Sequence, residues 1–222
     1  MEQYADMKLG ETMMKLEKNG APYLVVTEFE FLKGNERRII DIWNSSKAKV
    51  ILGESVLYKA IQKNSLVLLY KIEQFNDAQE FIESISFNQF INEISSFLDS
   101  DFHQEIVALV KQVTPRENLL PTSTFMQLRH IEVPLSGIEE YLDWREGTIF
   151  DFVERNDKVK SFVAFHSLLS STPGVLFITE FEGDPDDYRN SFLTPEYQKI
   201  IKEAGHDHIK GGLNTFEYTK VG

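Results

Sequence analysis

The chain has 222 residues, with 23 Lys and Arg against 35 Asp and Glu, a formal charge of −12, no cysteine and a 42% apolar fraction. Such a length and apolar content suit one large domain or two of about 100 residues and exclude a disordered chain, while the lack of cysteine excludes disulfides, thiolate nucleophiles and Cys-based metal sites. Scattered basic residues, with Arg37-Arg38 as the densest pairing, argue against nucleic acid as a partner; with no apolar run of about 18 residues and no signal-peptide pattern at Met1–Asp6, no membrane is implied and a cytoplasmic location is expected.

Residues 1–20 are polar and Met-bearing, with a helix expected over 11–18 that Asn19-Gly20 stops. They have no counterpart later in the chain and form an N-terminal extension. A strand is expected over 23–31, where β-branched and aromatic residues dominate. Gly34-Asn35 turn the chain into a helix over 36–47, with Ile39, Ile40, Ile42 and Trp43 on or beside one face. Strands over 50–61 and 65–73 follow, joined by the polar Gln62-Lys63-Asn64. Asn76 or Asp77 caps a helix carrying Phe81, Ile85, Phe90, Ile91 and Ile94, with a break expected near Phe87-Asn88. A fourth strand covers 105–113. Two prolines and several polar residues make 114–123 a linker.

The order then recurs. A strand is expected over 124–133, and Ser136 caps a long helix to about Asn156 whose apolar stripe is Ile138, Tyr141, Leu142, Ile149, Phe152 and Val153. Strands over 158–169 and 174–182 are joined through Ser170-Ser171-Thr172-Pro173. Asp184 caps the next helix, with Pro185 at its first position and Asp186-Asp187 near the positive end of its dipole. Pro195 starts a second helical piece over 196–204, and after Gly211-Gly212 a strand over 213–220 closes the unit.

The recurrence is also local. The run from Leu66 to Glu73 followed by Asn76-Asp77-Ala78 has its like in Val175 to Glu182 followed by Pro185-Asp186-Asp187. Phe90-x-x-x-Ile94 falls in step with Tyr197-x-x-x-Ile201. Several strands are apolar on both alternating faces, as in Tyr23-Leu24-Val25-Val26, and so need cover on both sides. The expected architecture is therefore α+β: two tandem ferredoxin-like βαββαβ repeats, 21–113 and 124–222, whose antiparallel sheets pack face to face as an α+β barrel.

Leu176-Phe177-Ile178-Thr179-Glu180-Phe181, the acidic helix start Asp184–Tyr188 and Thr194-Pro195-Glu196-Tyr197 resemble the antibiotic-biosynthesis-monooxygenase-like branch of the dimeric α+β barrel superfamily. Leu68 to Ile72 and Asn88-Gln89-Phe90 follow the same pattern less closely. The chain departs from it at Asn190-Ser191-Phe192, where many members carry a helix histidine that some use for haem or substrate. The resemblance implies a barrel built within one chain, as a monomer or homodimer. It also implies a small organic molecule bound or transformed in a cavity of the second repeat, in a monooxygenase-like manner. The alternative is a non-catalytic structural or regulatory barrel with no ligand.

Arg129 and His130 sit mid-strand and face opposite sides, since strand neighbours alternate. His166 lies in the next strand. A buried guanidinium demands a carboxylate or an anionic ligand, and Glu180, on a strand of the same sheet, is the expected carboxylate. Trp43 and Trp144 occupy comparable places in the first helix of each repeat, as core or as cavity lining. The expected ligand-pocket residues are thus Arg129, His130, Trp144, His166 and Glu180, with no catalytic residue assigned. His206-Asp207-His208 lacks a third ligand and is expected to be a solvated turn, so no metal is implied. No phosphate-cradling loop, nucleophile elbow or dinucleotide fingerprint is present, and no cofactor is expected.

Overall fold

The computed structural model describes residues 22–51, 54–170 and 174–222, with the backbone alone at 50, 51 and 212. The helix expected over 11–18 and the turn at 171–173 lie outside the described residues. In chain order the elements are β1 (Tyr23–Glu30), α1 (Glu36–Ser45), α2 (Lys47–Ile51), β2 (Ser55–Ala60), β3 (Ser65–Ile72), α3 (Asp77–Glu83), α4 (Ile85–Ile94) and β4 (His103–Thr114). Then come β5 (Phe125–Glu132), α5 (Ile138–Arg145), α6 (Asp151–Glu154), β6 (Ser161–Leu169), β7 (Val175–Phe181), α7 (Pro185–Ser191), α8 (Pro195–Glu203) and β8 (Lys210–Lys220).

Helix boundaries follow local chemistry. Asp184 accepts from the Asp186 amide at 2.8 Å and Thr194 from the Tyr197 amide at 3.1 Å, each with proline at the first helical position. The break in the first-half helix pair falls at Ser84, earlier than expected near Phe87. Its hydroxyl accepts from the Phe87 amide at 3.3 Å and so starts α4. The strand expected over 50–61 is shorter, because α2 takes residues 47–51 and leaves six residues to β2. The long helix expected from Ser136 is interrupted by a π-helical turn, Glu146–Phe150, between α5 and α6. A second π-helical turn, Ala204–His208, follows α8.

All eight strands pair antiparallel in one closed barrel, in the order β1-β3-β2-β8-β5-β7-β6-β4. The two halves meet by hydrogen-bonded edges. One seam joins β2 to β8 from Tyr58↔Lys220 to Ala60↔Tyr218. The other joins β4 to β6 from Ile106↔Leu169 to Thr114↔Phe162, with register shifts along it. Closure leaves no free edge among the eight described strands to template pairing with another chain.

Strand alternation sorts the apolar residues into three clusters. Leu24, Val26, Val67, Leu69, Met126, Leu128, Phe165, Leu176 and Ile178 fill the barrel. Val25, Phe29, Leu68 and Ile72 face α1 to α4 and pack on Ile39, Trp43, Phe81, Phe87 and Phe90. Ile131, Phe162, Phe177 and Phe181 face the second-half helices, with Phe181 stacked on Tyr188 at 3.8 Å. The segment between β4 and β5 is more than a connection, for Leu119 and Leu120 reach into the barrel cluster. Among the described residues no helix is long and apolar enough to cross a membrane.

Candidate functional site

The five residues expected to share a pocket occupy three places. Glu180 and His130 project into the barrel with Ile178 and Leu128, near opposite ends, whereas Arg129, Trp144 and His166 lie on the helix side of the second half. The expected Arg129–Glu180 pair does not form, because the odd and even residues of paired strands face opposite sides of the sheet.

At one end of the barrel Glu180 is paired with Arg116. Its Oε1 accepts from Arg116 Nη1 at 2.7 Å and from Ser161 Oγ at 2.6 Å, and its Oε2 from the amides of Thr122 at 2.6 Å and Ser123 at 2.8 Å. Arg116 also donates to the Leu119 carbonyl, and Tyr58 donates across the barrel to the Ser123 carbonyl at 2.6 Å. Burial pushes the Glu180 carboxyl up, but Ser161, the Ser123 amide and Arg116 outweigh it and hold the group below its ordinary range. For Arg116 burial is the larger influence and lowers its pKa, though a guanidinium stays charged. Every strong acceptor position of Glu180 is engaged, so this group is a clamp that seats Leu119 and Leu120 as a plug.

At the other end His130 Nε2 lies 2.6 Å from Glu105 Oε1, and Glu105 Oε2 accepts from Ser167 at 3.0 Å and Ser170 at 2.9 Å. Glu28 accepts from Lys63 at 2.9 Å and from Tyr218 at 2.8 Å. Glu28, Glu105 and His130 border an opening of about 330 Å³ that includes open solvent, with Val26, Leu128 and Ser170 also in its wall. Inside, it has room for little more than ordered water.

The second-half layer between sheet and helices is different in kind. Arg129 donates to Tyr197 Oη at 2.8 Å, Thr215 Oγ1 at 3.1 Å and Gln127 Oε1 at 3.3 Å, all neutral acceptors. Arg145, the last residue of α5, is 3% exposed and makes no ion pair among the described residues; its Nε has no hydrogen-bond partner. Its guanidinium carbon lies 4.9 Å from the Phe150 ring centre and 5.7 Å from that of Tyr141. Such cation–π contacts return about 2 kcal/mol when desolvated. The effective cost of burying the charge is several kcal/mol per ion, so the rings do not offset it. Glu146, whose charge acts on Arg145, is ion-paired with Lys111, and Glu217, opposite Gln127 on β8, is paired with Arg189.

Tyr141 feels the charge of both cations. Burial is the larger influence and pushes its hydroxyl up to about 12, against the pull of Arg145 and Arg129. The buried hydroxyl has no hydrogen-bond partner of normal geometry. Burial likewise raises the Tyr188 hydroxyl, so at neutral pH these phenols supply no negative charge. His166 is held below its ordinary value by burial and then by Arg145. Its ring packs so closely on Gly174 that a side chain there would meet it at 3.2 Å. Trp144 packs on His208 at 4.7 Å, and His208 also lies against Tyr141 at 6.0 Å. His208 is thus buried, not solvated as expected from the sequence, while His206 remains exposed beside Asp207.

Arg145 and Arg116 were missed at the sequence level. A signal existed for Arg145, which interrupts the apolar stripe between Tyr141 and Ile149 at helical spacing. For Arg116 there was only the apolar Leu119-Leu120 pair in a linker-like stretch. Among the described residues the first half buries no comparable cation in its helix–sheet layer, which instead borders an opening of about 430 Å³ lined by Val25, Ala78, Phe81 and Ile106. There, the register position matching Arg129 is Thr27, which accepts from Gln104 at 3.0 Å, and the surrounding cluster is aromatic and aliphatic.

The sequence matches no protein-family model and no curated protein. Among solved structures the chain is similar to a candidate monooxygenase from Fusobacterium nucleatum, with a TM-score of 0.70 and 13% identity over 92% of this chain and 94% of that one. It is also similar to an anthrone oxidase-like protein, with a TM-score of 0.69 and 9% identity over 92% of this chain and 93% of that one. A third likeness is to a major regulator of staphylococcal pathogenesis, with a TM-score of 0.51 and 10% identity over 90% and 99% of the two chains. At these identities the likeness is one of fold.

Proposed function

We propose that this protein is a monooxygenase-like α+β barrel, a tandem duplication of a ferredoxin-like unit, that binds a small organic molecule in the helix–sheet layer of its second half. The observation that carries this is the asymmetry of the two layers. One is an aromatic and aliphatic core around Trp43 and Phe90; the other holds a buried Arg145 and the half-buried Arg129 and His166 among phenols. A half that served only as scaffold has no use for desolvated cations, which cost stability unless something compensates them. Both π-helical turns border this same layer, one directly after Arg145 and one carrying His208, and such turns recur at functional sites. The fold likeness to a candidate monooxygenase and to an anthrone oxidase-like protein supports an organic ligand.

The test is the native mass spectrum of freshly purified protein set against its denatured mass. An excess that disappears on denaturation identifies the ligand. A bare chain mass, together with no saturable thermal shift from either neutral or acidic aromatic probes, rejects the reading in favour of a ligand-free structural or regulatory barrel.

A further inference from the structure

We infer that the layer between β5 and α5 is an anion-binding site whose ligand carries a carboxylate beside an aromatic ring. The inference rests on the reading that this layer receives a small molecule, and it names the chemical class. Arg145 is buried with its Nε unpartnered, and the buried hydroxyl of Tyr141 beside it has the Arg145 guanidinium in reach but no hydrogen bond of normal geometry. The large majority of buried donors in a native protein are hydrogen-bonded, and two under-satisfied ones side by side on a buried cation and a phenol mark a place where an acceptor belongs. Arg129 adds a second guanidinium held only by neutral groups. Tyr141 lies within electrostatic range of both. One acceptor group with a full negative charge would answer all three side chains, and a carboxylate matches the planar fork of a guanidinium.

The surroundings specify the rest of the ligand. Ring faces of Trp144, Phe150 and His208 lie next to these donors, which favours a flat apolar body over a free inorganic anion. The three donors are held by two elements, Arg129 by β5, and Tyr141 and Arg145 by successive turns of α5. The π-helical turn after Arg145 is where a widened helix can yield to admit the ring.

The experiment titrates the full chain with benzoate and 1-naphthoate and, in parallel, with the neutral carboxamides of both, following thermal unfolding. The acids are expected to raise the Tm saturably and the carboxamides to leave it unchanged. Arg145→Met is expected to weaken the acid response by roughly ten-fold or more. It should also raise the Tm of the ligand-free protein by a few degrees, since an uncompensated buried charge is replaced by an apolar chain of similar length. Arg145→Gln, which keeps polarity without charge, should lose the acid response as well. Carboxamides that act as strongly as the acids would overturn the anion reading and leave the small-molecule reading standing. No response to any of the four probes would overturn the anion reading, and joined to a bare native mass it would overturn both. An Arg145→Met protein that melts lower, or fails to fold, would show that the guanidinium serves the ligand-free fold, which also overturns the inference.

Discussion

Replacing Glu180 by glutamine tests the clamp at the plugged end of the barrel. The substitution keeps shape and one acceptor but removes the charge and turns the other acceptor into a donor. That donor then faces either Arg116 and Ser161 or the amides of Thr122 and Ser123. Arg116, 8% exposed and already with an unpartnered Nε, is left without a counter-charge. Breaking a buried pair in this way costs about 3–5 kcal/mol, or roughly 6–20 °C in Tm for a chain of this size. Urea unfolding followed by circular dichroism measures it. The pH dependence supplies the sign. The folded Glu180 pKa lies below its reference value of 4.5, so its contribution is complete above that value and is lost as pH falls through the folded pKa. The gap between wild type and Glu180→Gln should therefore be full at neutral pH and shrink on acidification below about 4.5. Arg116→Met should cost less, because Ser161 and two amides still hold the carboxylate. The double replacement Glu180→Leu with Arg116→Met should recover part of the loss, since an apolar pair leaves no stranded charge. A Glu180→Gln protein within about 1 kcal/mol of wild type, with an unchanged acid profile, would refute the clamp.

Leu119→Ala and Leu120→Ala should each cost about 2 kcal/mol or more in chemical denaturation, because both side chains, 6% and 8% exposed, fill the barrel end. A passive surface connection would tolerate either change within about 0.5 kcal/mol. At the other end Glu105→Gln should cost about 1–3 kcal/mol by thermal or urea unfolding, since the carboxylate accepts from Ser167 and Ser170 and meets His130. His130→Ala should cost less than Glu105→Gln, as both serines remain bonded to the carboxylate. The reverse order would show that the histidine, and not the carboxylate, organises the mouth.

Much of the barrel was legible in the chain itself. Continuous apolar runs such as Val175 to Ile178 and the caps at Asp184 and Thr194 depend on residues within a few positions of one another, so local physics suffices to place the strands and helices. Strands apolar on both faces also announced cover on both sides, which the barrel and helix layers supply. Alternation correctly put Arg129 and His130 on opposite faces. What alternation could not supply was the identity of partners across the molecule. Glu180 meets Arg116 and not Arg129 because the connection after β4 folds back into the barrel end, a contact between residues 64 positions apart. Helical spacing alone sets Arg145 beside Tyr141, but only the packing of α5 on the sheet buries it without an ion pair among the described residues, while Glu146 turns to Lys111. Strand and helix are properties of short stretches. Charge compensation is a property of the assembled interior, where a few ångströms decide which buried group is answered and which is left for a ligand.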